Sequence, residues 1–391
     1  MQALTGSIIH TGTETLADHA VLIDENGVIT AIVPAAKVPR DARQHDLGGG
    51  HLAPGFIDLQ VNGGGGVMFN DEPTPDAVRR IAAAHRTFGV TGLLPTFISG
   101  PAGDMARAAD AVATAINTVP GVLGIHFEGP HLNPEKAGVH DATQFRACDA
   151  DALATLLALE DGCTLVTLAP ECVATDAIEV LAAQGAVVAA GHTLAGPEEL
   201  GPAVAAGLTG ITHLFNAMAP LGSREPGTVG GALASDDLWC GLIADGHHVH
   251  PVSIAAAWRA KRSGKLLLVS DAMAPVGGPP TSTFTTAGQM VHVGDGRCTT
   301  AEGRLAGSML SLDVAVRYCV EAAGIPLDEA LRMASTYPAK AIGEDERRGL
   351  IAPGYEADLV ALDESLAPVA TWISGACERT TRNETDNAHR N

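Results

Sequence analysis

Eight short apolar, β-rich runs alternate with Ala-rich helical stretches through the middle of this 391-residue chain, and that alternation constrains the fold more than any other feature. The runs cover residues 56–61, 91–98, 122–127, 164–168, 186–190, 210–214, 240–244 and 265–269. The clearest helical segments between them are 75–88, 103–118, 150–159, 197–206 and 252–263, some with Pro or Asp near their starts as helix N-termini often have. Strands that alternate with helices pair in parallel, and eight is the number that closes a (β/α)8 TIM barrel. The rival is an open doubly wound sheet, but no G-x-G-x-x-G follows the first run. A barrel takes about 250 residues, which leaves room for a smaller unit.

That unit is expected at the two ends. Residues 7–10, 20–24 and 27–33 are β-rich and punctuated by Gly and Asn, and the pattern stops at Gly48-Gly49-Gly50. Residues 349–376 look similar. Each piece is too short to hold a core alone, so 1–50 and 349–380 are expected to join as one discontinuous β-sandwich domain around a catalytic barrel at 51–348. The polar residues 381–391 are expected to be a disordered tail.

Charge and cysteine content exclude several classes. A net charge of −21 repels nucleic acid and anionic lipid, so neither a nucleic-acid nor a membrane partner is expected. An anionic substrate would then need local cations. The seven cysteines are odd in number, scattered, and without a C-x-x-C pair, which points to a reducing cytoplasm. The first residues lack the basic then apolar pattern of a signal peptide. The uncharged stretches 200–223 and 273–294 are broken by Gly, Pro, Thr and His and do not read as membrane spans.

The ends of the runs carry the chemistry. Run one holds Asp58 and Gln60, run three leads into Glu128 (HFEGPH), and run five into His192 (GHT). Run six holds His213 (THLFNAM), run seven leads into Asp245 and His248 (ADGHH), and run eight into Asp271 (SDA). In a parallel barrel these C-terminal ends share one rim, where active sites sit. Glu128, His192 and His213 make a His2Glu set of the kind that holds catalytic zinc with an open fourth position. The same donors suit iron or manganese, so one divalent metal ion of unspecified identity is expected. A lone strand-end His is more often a packed, hydrogen-bonded residue; three suitable residues on one rim outweigh that reading.

Asp271 follows the apolar LLLVS, where a carboxylate is unfavourable unless paired or used. It suits a general base that takes a proton from water and returns it to a leaving nitrogen; the alternative is a cap on the next turn. His140, in KAGVH, either donates to a carbonyl oxygen or sits in a surface loop. Arg224, in SREPG, is either an anion clamp or a solvated loop charge, and His248 is positioned by sequence to assist it.

The segments PGFIDLQVNG, HFEGPHLNPEKAGVH, AGHT, THLFNAM, REPG, ADGHHV, LVSDAMAP, LAGS and APGYEADLV occur in that order. As a set the chain resembles the N-acetylglucosamine-6-phosphate deacetylase family of the amidohydrolase superfamily, over nearly its whole length. The resemblance implies that Glu128, His192 and His213 are metal ligands, that Asp271 is the general base and acid, and that His140 touches substrate near the acetyl carbonyl. It implies substrate contacts at Asn216 and Ala217, in the Asp245–His248 loop including His247, and at Leu305, Ala306 and Gly307. Arg224 and His248 correspond to its phosphate-binding pair. The implied reaction is hydrolysis of N-acetyl-D-glucosamine 6-phosphate to D-glucosamine 6-phosphate and acetate, in amino-sugar catabolism and cell-wall recycling, by a homodimer or homotetramer. Where many amidohydrolases carry His-x-His on the first strand, this chain is read as carrying Asp58-Leu59-Gln60, so one tightly held metal is expected. The alternatives are another cyclic-amide or deaminating amidohydrolase, or an inactive binding protein on the same fold.

Overall fold

The computed structural model describes residues 1–286 and 288–379. Eight strands form one all-parallel sheet: β1 (Phe56–Val61), β2 (Val90–Ile98), β3 (Gly124–Glu128), β4 (Cys163–Leu168), β5 (Val187–Ala190), β6 (Leu208–Ile211), β7 (Trp239–Leu242) and β8 (Leu266–Leu268). Neighbours in sequence are neighbours in the sheet. Residues just beyond β8 and β1 close the ring: the Asp271 amide donates to the Gln60 carbonyl at 2.9 Å, and the Asn62 amide donates to the Ala272 carbonyl at 2.9 Å. The expected (β/α)8 barrel is therefore the architecture. Its strands are buried on both faces because helices cover the outside while side chains fill the inside.

The five expected helices are Pro75–Arg86, Ala102–Ala115, Ala150–Leu156, Pro197–Ala205 and Pro251–Ala260. Local signals set their starts: the Thr74 hydroxyl accepts from the Ala77 amide and the Asp149 carboxylate from that of Ala152. Other helices were not singled out, among them Gly227–Ala234, with the sequence GTVGGALA. Three glycines make it a poor helix by propensity. Packing holds it instead, with Thr228, Val229 and Ala232 buried and the Thr228 hydroxyl donating to the Ala195 carbonyl at 2.6 Å.

The two chain ends meet in strand-rich sheets, as expected. One sheet orders Ile29–Pro34, His19–Ile23, Gln2–Thr5 and Arg43–Asp46. In the other, Leu359–Leu362 pairs antiparallel with His51–Pro54, so a late strand is stitched to the one that runs straight into β1. Leu4, Ile9, Val21, Leu52, Leu359 and Trp372 form the core between them. A further four-stranded antiparallel sheet, spanning Thr283–Thr286 to Leu305–Ser308, follows β8 and was not expected from the sequence. Its apolar side rests on Met68, Met273 and Ala274 beside the rim. The expected tail at 381–391 lies outside the described residues. No helix among the described residues is long and apolar enough to cross a membrane.

Beneath the rim the barrel interior is polar. The His126 Nδ1 contacts the Leu59 carbonyl at 3.0 Å and its Nε2 contacts the Thr167 hydroxyl at 2.8 Å, which in turn lies 2.6 Å from that of Thr212. Burial pushes the His126 imidazole down to about 4, so it stays neutral at physiological pH. This layer is the floor on which the rim residues stand.

Candidate active site

The end of β3 delivers Glu128 to the centre of the rim. Its Oε1 lies 3.1 Å from His192 Nε2 and 3.0 Å from His213 Nε2, and those two nitrogens are 3.1 Å apart. His140 Nε2 stands 3.9 Å from the other Glu128 oxygen. All four side chains are buried. His192, His213 and Asp271 share left-handed backbone, with φ of 49°, 33° and 53°. Such conformations are unfavourable for residues with a Cβ and gather at functional sites. Here they let a chain that has just left its strand turn a side chain back over the barrel mouth.

Burial opposes charge on Glu128, but hydrogen bonds from His192 and His213 outweigh it and hold the carboxyl well below its usual range. For His213, burial is likewise outweighed by the Glu128 carboxylate, and its pKa is raised. His140 goes the other way: burial and then the neighbouring His192 push it down to about 3. The His192 Nδ1 faces the Lys136 carbonyl oxygen at 2.7 Å, which can only accept. His192 thus carries a proton on Nδ1, which leaves Nε2, the nitrogen that meets Glu128, as the atom that would bind an ion. Glu128, His140 and His192 also present ligand atoms within 4.8 Å of one another. The rim therefore offers one carboxylate and three imidazoles from which a divalent ion would draw its ligands, and a buried oxygen–nitrogen set of this kind fits zinc, iron or manganese.

Asp271 borders the same cavity beside this cluster. Asn62 Nδ2 donates to its Oδ1 at 2.6 Å and Gln60 Nε2 to the same oxygen at 3.3 Å; Gln60 also reaches Glu128 Oε1 at 3.0 Å. Burial, and then the charge of Glu128, raise the Asp271 pKa above the usual carboxylate range. The pair that faces the site is thus Gln60 and Asn62. This corrects the placement of Asp58-x-Gln60 there. Residues 58, 60 and 62 all point inward with the period of two, but β1 ends at Val61, so the last two form the uppermost layer. Asp58 lies a layer deeper, where its Oδ1 accepts from the amides of Gln60 at 3.2 Å and Ser270 at 3.1 Å.

A cavity of about 290 Å³ opens over these groups. Of the residues expected at the site, Glu128, His140, His192, His213, Asn216, Ala217, His248, Asp271, Leu305 and Gly307 line it. Four do not. Ala306 alternates away from its two neighbours and is buried in the apolar cluster under the added sheet. The Asp245 carboxylate accepts from His248 Nδ1 at 2.6 Å and from the amides of His247 and His248, so it orients His248 rather than facing the cavity. His247 is exposed beside it. Arg224 stands on an exposed loop, away from the cavity of its own chain. Asn62 and Lys136, not among the expected site residues, also line the cavity. The signal for Asn62 was its position two residues beyond Gln60. A second cavity, of about 330 Å³, lies between the helices Pro251–Ala260 and Leu327–Ala334. It lacks this chemistry, since its Arg332 is already paired with Asp328 and Glu329.

The model of the amidohydrolase family matches residues 51–383, and that of the NagA composite domain matches residues 1–52. The chain is 43% identical to N-acetylgalactosamine-6-phosphate deacetylase of Shewanella sp., over 92% of each chain. It is 35% identical to N-acetylglucosamine-6-phosphate deacetylase of Haemophilus influenzae, over 95% of this chain and 98% of that one. The crystal structure of N-acetylglucosamine-6-phosphate deacetylase from Pasteurella multocida superposes with a TM-score of 0.93 at 36% identity, covering 97% of this chain and 99% of the other. With a barrel whose rim gathers Glu128, His192 and His213 beside Asp271, and with these matches along its length, the chain belongs to the amidohydrolase family.

Proposed function

We propose that this chain is a metal-dependent deacetylase that hydrolyses the acetamide of N-acetyl-D-glucosamine 6-phosphate to D-glucosamine 6-phosphate and acetate. The observation that carries the reading is the contact of Glu128 with His192 and His213 in one cavity with Asp271. Glu128, His192 and His213 are the residues assigned to hold one divalent ion, of zinc, iron or manganese type. Such an ion polarises an amide carbonyl and lowers the pKa of water to about 7, so that hydroxide is available at neutral pH.

The side chains supply the rest. Asp271 accepts the proton from the attacking water and delivers it to the amine nitrogen as the C–N bond breaks. Gln60 and Asn62 orient its carboxylate for both transfers. His140 donates to the carbonyl oxygen as negative charge develops there. Asn216, Ala217, Leu305 and Gly307 shape the sugar pocket, and His248, held by Asp245, addresses the phosphate. The phosphate is remote from the bond that breaks, but its binding orients the reacting carbonyl. Arg224 does not line the cavity of about 290 Å³ in its own chain, and we assign it to the phosphate site of a neighbouring subunit in a homodimer or homotetramer. The enzyme would act in the cytoplasm, in amino-sugar catabolism and cell-wall recycling; its seven cysteines are free thiols.

The Shewanella relative favours a second substrate, N-acetyl-D-galactosamine 6-phosphate, which differs only in configuration at C4. A steady-state assay on both sugar phosphates and on unphosphorylated N-acetylglucosamine, each with and without a chelator, tests the reading. Chelator-sensitive turnover with strong preference for a phosphorylated sugar is expected, and the ratio of the two epimers assigns the substrate. No turnover of any of the three by metal-loaded protein would overturn it.

A further inference from the structure

His140 and His192 lie side by side, with ring centroids 4.4 Å apart, yet their hydrogen-bond partners are of opposite kinds. His192 Nδ1 meets a carbonyl oxygen, which only accepts. His140 Nδ1 meets Ser99. The Ser99 hydroxyl lies 2.8 Å from it, and the Ser99 backbone amide points at the same nitrogen from 3.4 Å. A backbone N–H only donates, so the His140 Nδ1 must present its lone pair, and the hydroxyl then donates to it as well. The proton of this imidazole is consequently on Nε2, the atom that lies 3.9 Å from Glu128 Oε2.

The fold builds this contact deliberately. Ser99 follows β2 and is buried. The room for its hydroxyl exists because residue 129, beside Glu128, is glycine: a Cβ there would lie 2.4 Å from Ser99 Oγ. Gly129 also has φ of 81°, a conformation that disfavours a side chain. Two neighbouring strand ends are thus shaped around one imidazole nitrogen.

We propose that Ser99 is a positioning residue that locks His140 in its Nε2–H tautomer, which makes His140 a hydrogen-bond donor to substrate and removes it from the metal's ligand set. An Nε2 that carries a proton has no lone pair to give an ion. His192, whose Nδ1 proton is held by a carbonyl, is free to give one from Nε2 to an ion. Of the imidazoles around Glu128, the protein therefore marks one as donor and another as ligand by the choice of a serine against a carbonyl. The donor role of His140 rests on the deacetylase reading; the tautomer and the ligand set do not.

Ring-nitrogen NMR of metal-loaded, substrate-free enzyme with isotopically labelled histidine tests the assignment directly. The His140 signals should show a bare Nδ1 and a protonated Nε2. With a spin-active cadmium isotope bound, scalar coupling should appear on His192 and His213 and be absent from His140. In the zinc-loaded enzyme, Ser99→Ala should lower kcat roughly tenfold, the worth of one hydrogen bond, with KM and metal content unchanged. Ser99→Thr, which keeps a hydroxyl, should restore it. A protonated Nδ1 on His140, cadmium coupling to His140, or wild-type kcat in Ser99→Ala would each overturn the proposal. The NMR arm needs neither a variant nor a substrate, so it decides the tautomer even if Ser99→Ala fails to fold or the substrate assignment fails.

Discussion

Asn62 Nδ2 lies 2.6 Å from Asp271 Oδ1, and through this contact the segment just beyond the first strand of the barrel holds a carboxylate borne just beyond the eighth. Gln60 addresses the same oxygen. Oδ2 is therefore the oxygen we assign to water and to the leaving nitrogen. Asn62→Ala should lower kcat roughly tenfold while bound metal, measured by atomic absorption, stays stoichiometric. An unchanged kcat would show that the backbone alone orients Asp271.

Asp271 itself is expected to move the proton. Asp271→Asn keeps the shape and the contact at Oδ1 but cannot be protonated, so turnover should fall by about 10²–10⁴-fold with metal retained. Steady-state kinetics beside a metal assay decide it, and near-normal turnover would remove Asp271 from proton transfer.

Arg224 is exposed, so its replacement by alanine should leave stability within about 0.5 kcal/mol of wild type. If it meets the phosphate across a subunit interface, Arg224→Ala should raise KM for the phosphorylated sugar by roughly 10–100-fold, as loss of a charge-assisted hydrogen bond does. Use of unphosphorylated N-acetylglucosamine should be little changed. Equal losses on both sugars would return Arg224 to the status of a solvated loop charge.

Asp58 makes stability depend on pH. Burial pushes its carboxyl up to about 7, against an unfolded value near 4. A raised carboxyl binds its proton more tightly in the folded state, so its contribution is whole below about pH 4 and is lost as pH rises through about 7. Asp58→Asn has no proton to lose and keeps an acceptor for the amides of Gln60 and Ser270. Its Tm relative to wild type should therefore improve between about pH 5 and about pH 7.5, read by thermal denaturation. A constant difference across that range would mean that Asp58 is not protonated in the folded protein.

Much of the site was legible because strand ends in a parallel barrel converge whatever their separation in sequence. Glu128, His192, His213 and Asp271 could each be placed by the apolar run that they end or follow. Depth within the barrel was not legible. Asp58, Gln60 and Asn62 obey the same alternation, and only the point where β1 ends decides which of them meets the cavity. Helix Gly227–Ala234 was hidden for a different reason, since its glycines argue locally for a loop and burial alone overrides them.

By itself the sequence determined the eight-stranded alternation and the identity of the acids and imidazoles on the rim, because burial on both faces leaves apolar runs that need no partner to be recognised. The tertiary structure decided what those groups are bonded to. The pairing of Leu359–Leu362 with His51–Pro54, the exclusion of Arg224 from its own cavity and the opposed tautomers of His140 and His192 all depend on contacts between residues far apart in the chain. A hydrogen bond from Ser99 to an imidazole 41 residues away leaves no periodic trace in either segment, since it is specified by where two strand ends stop and by the space one missing side chain leaves between them.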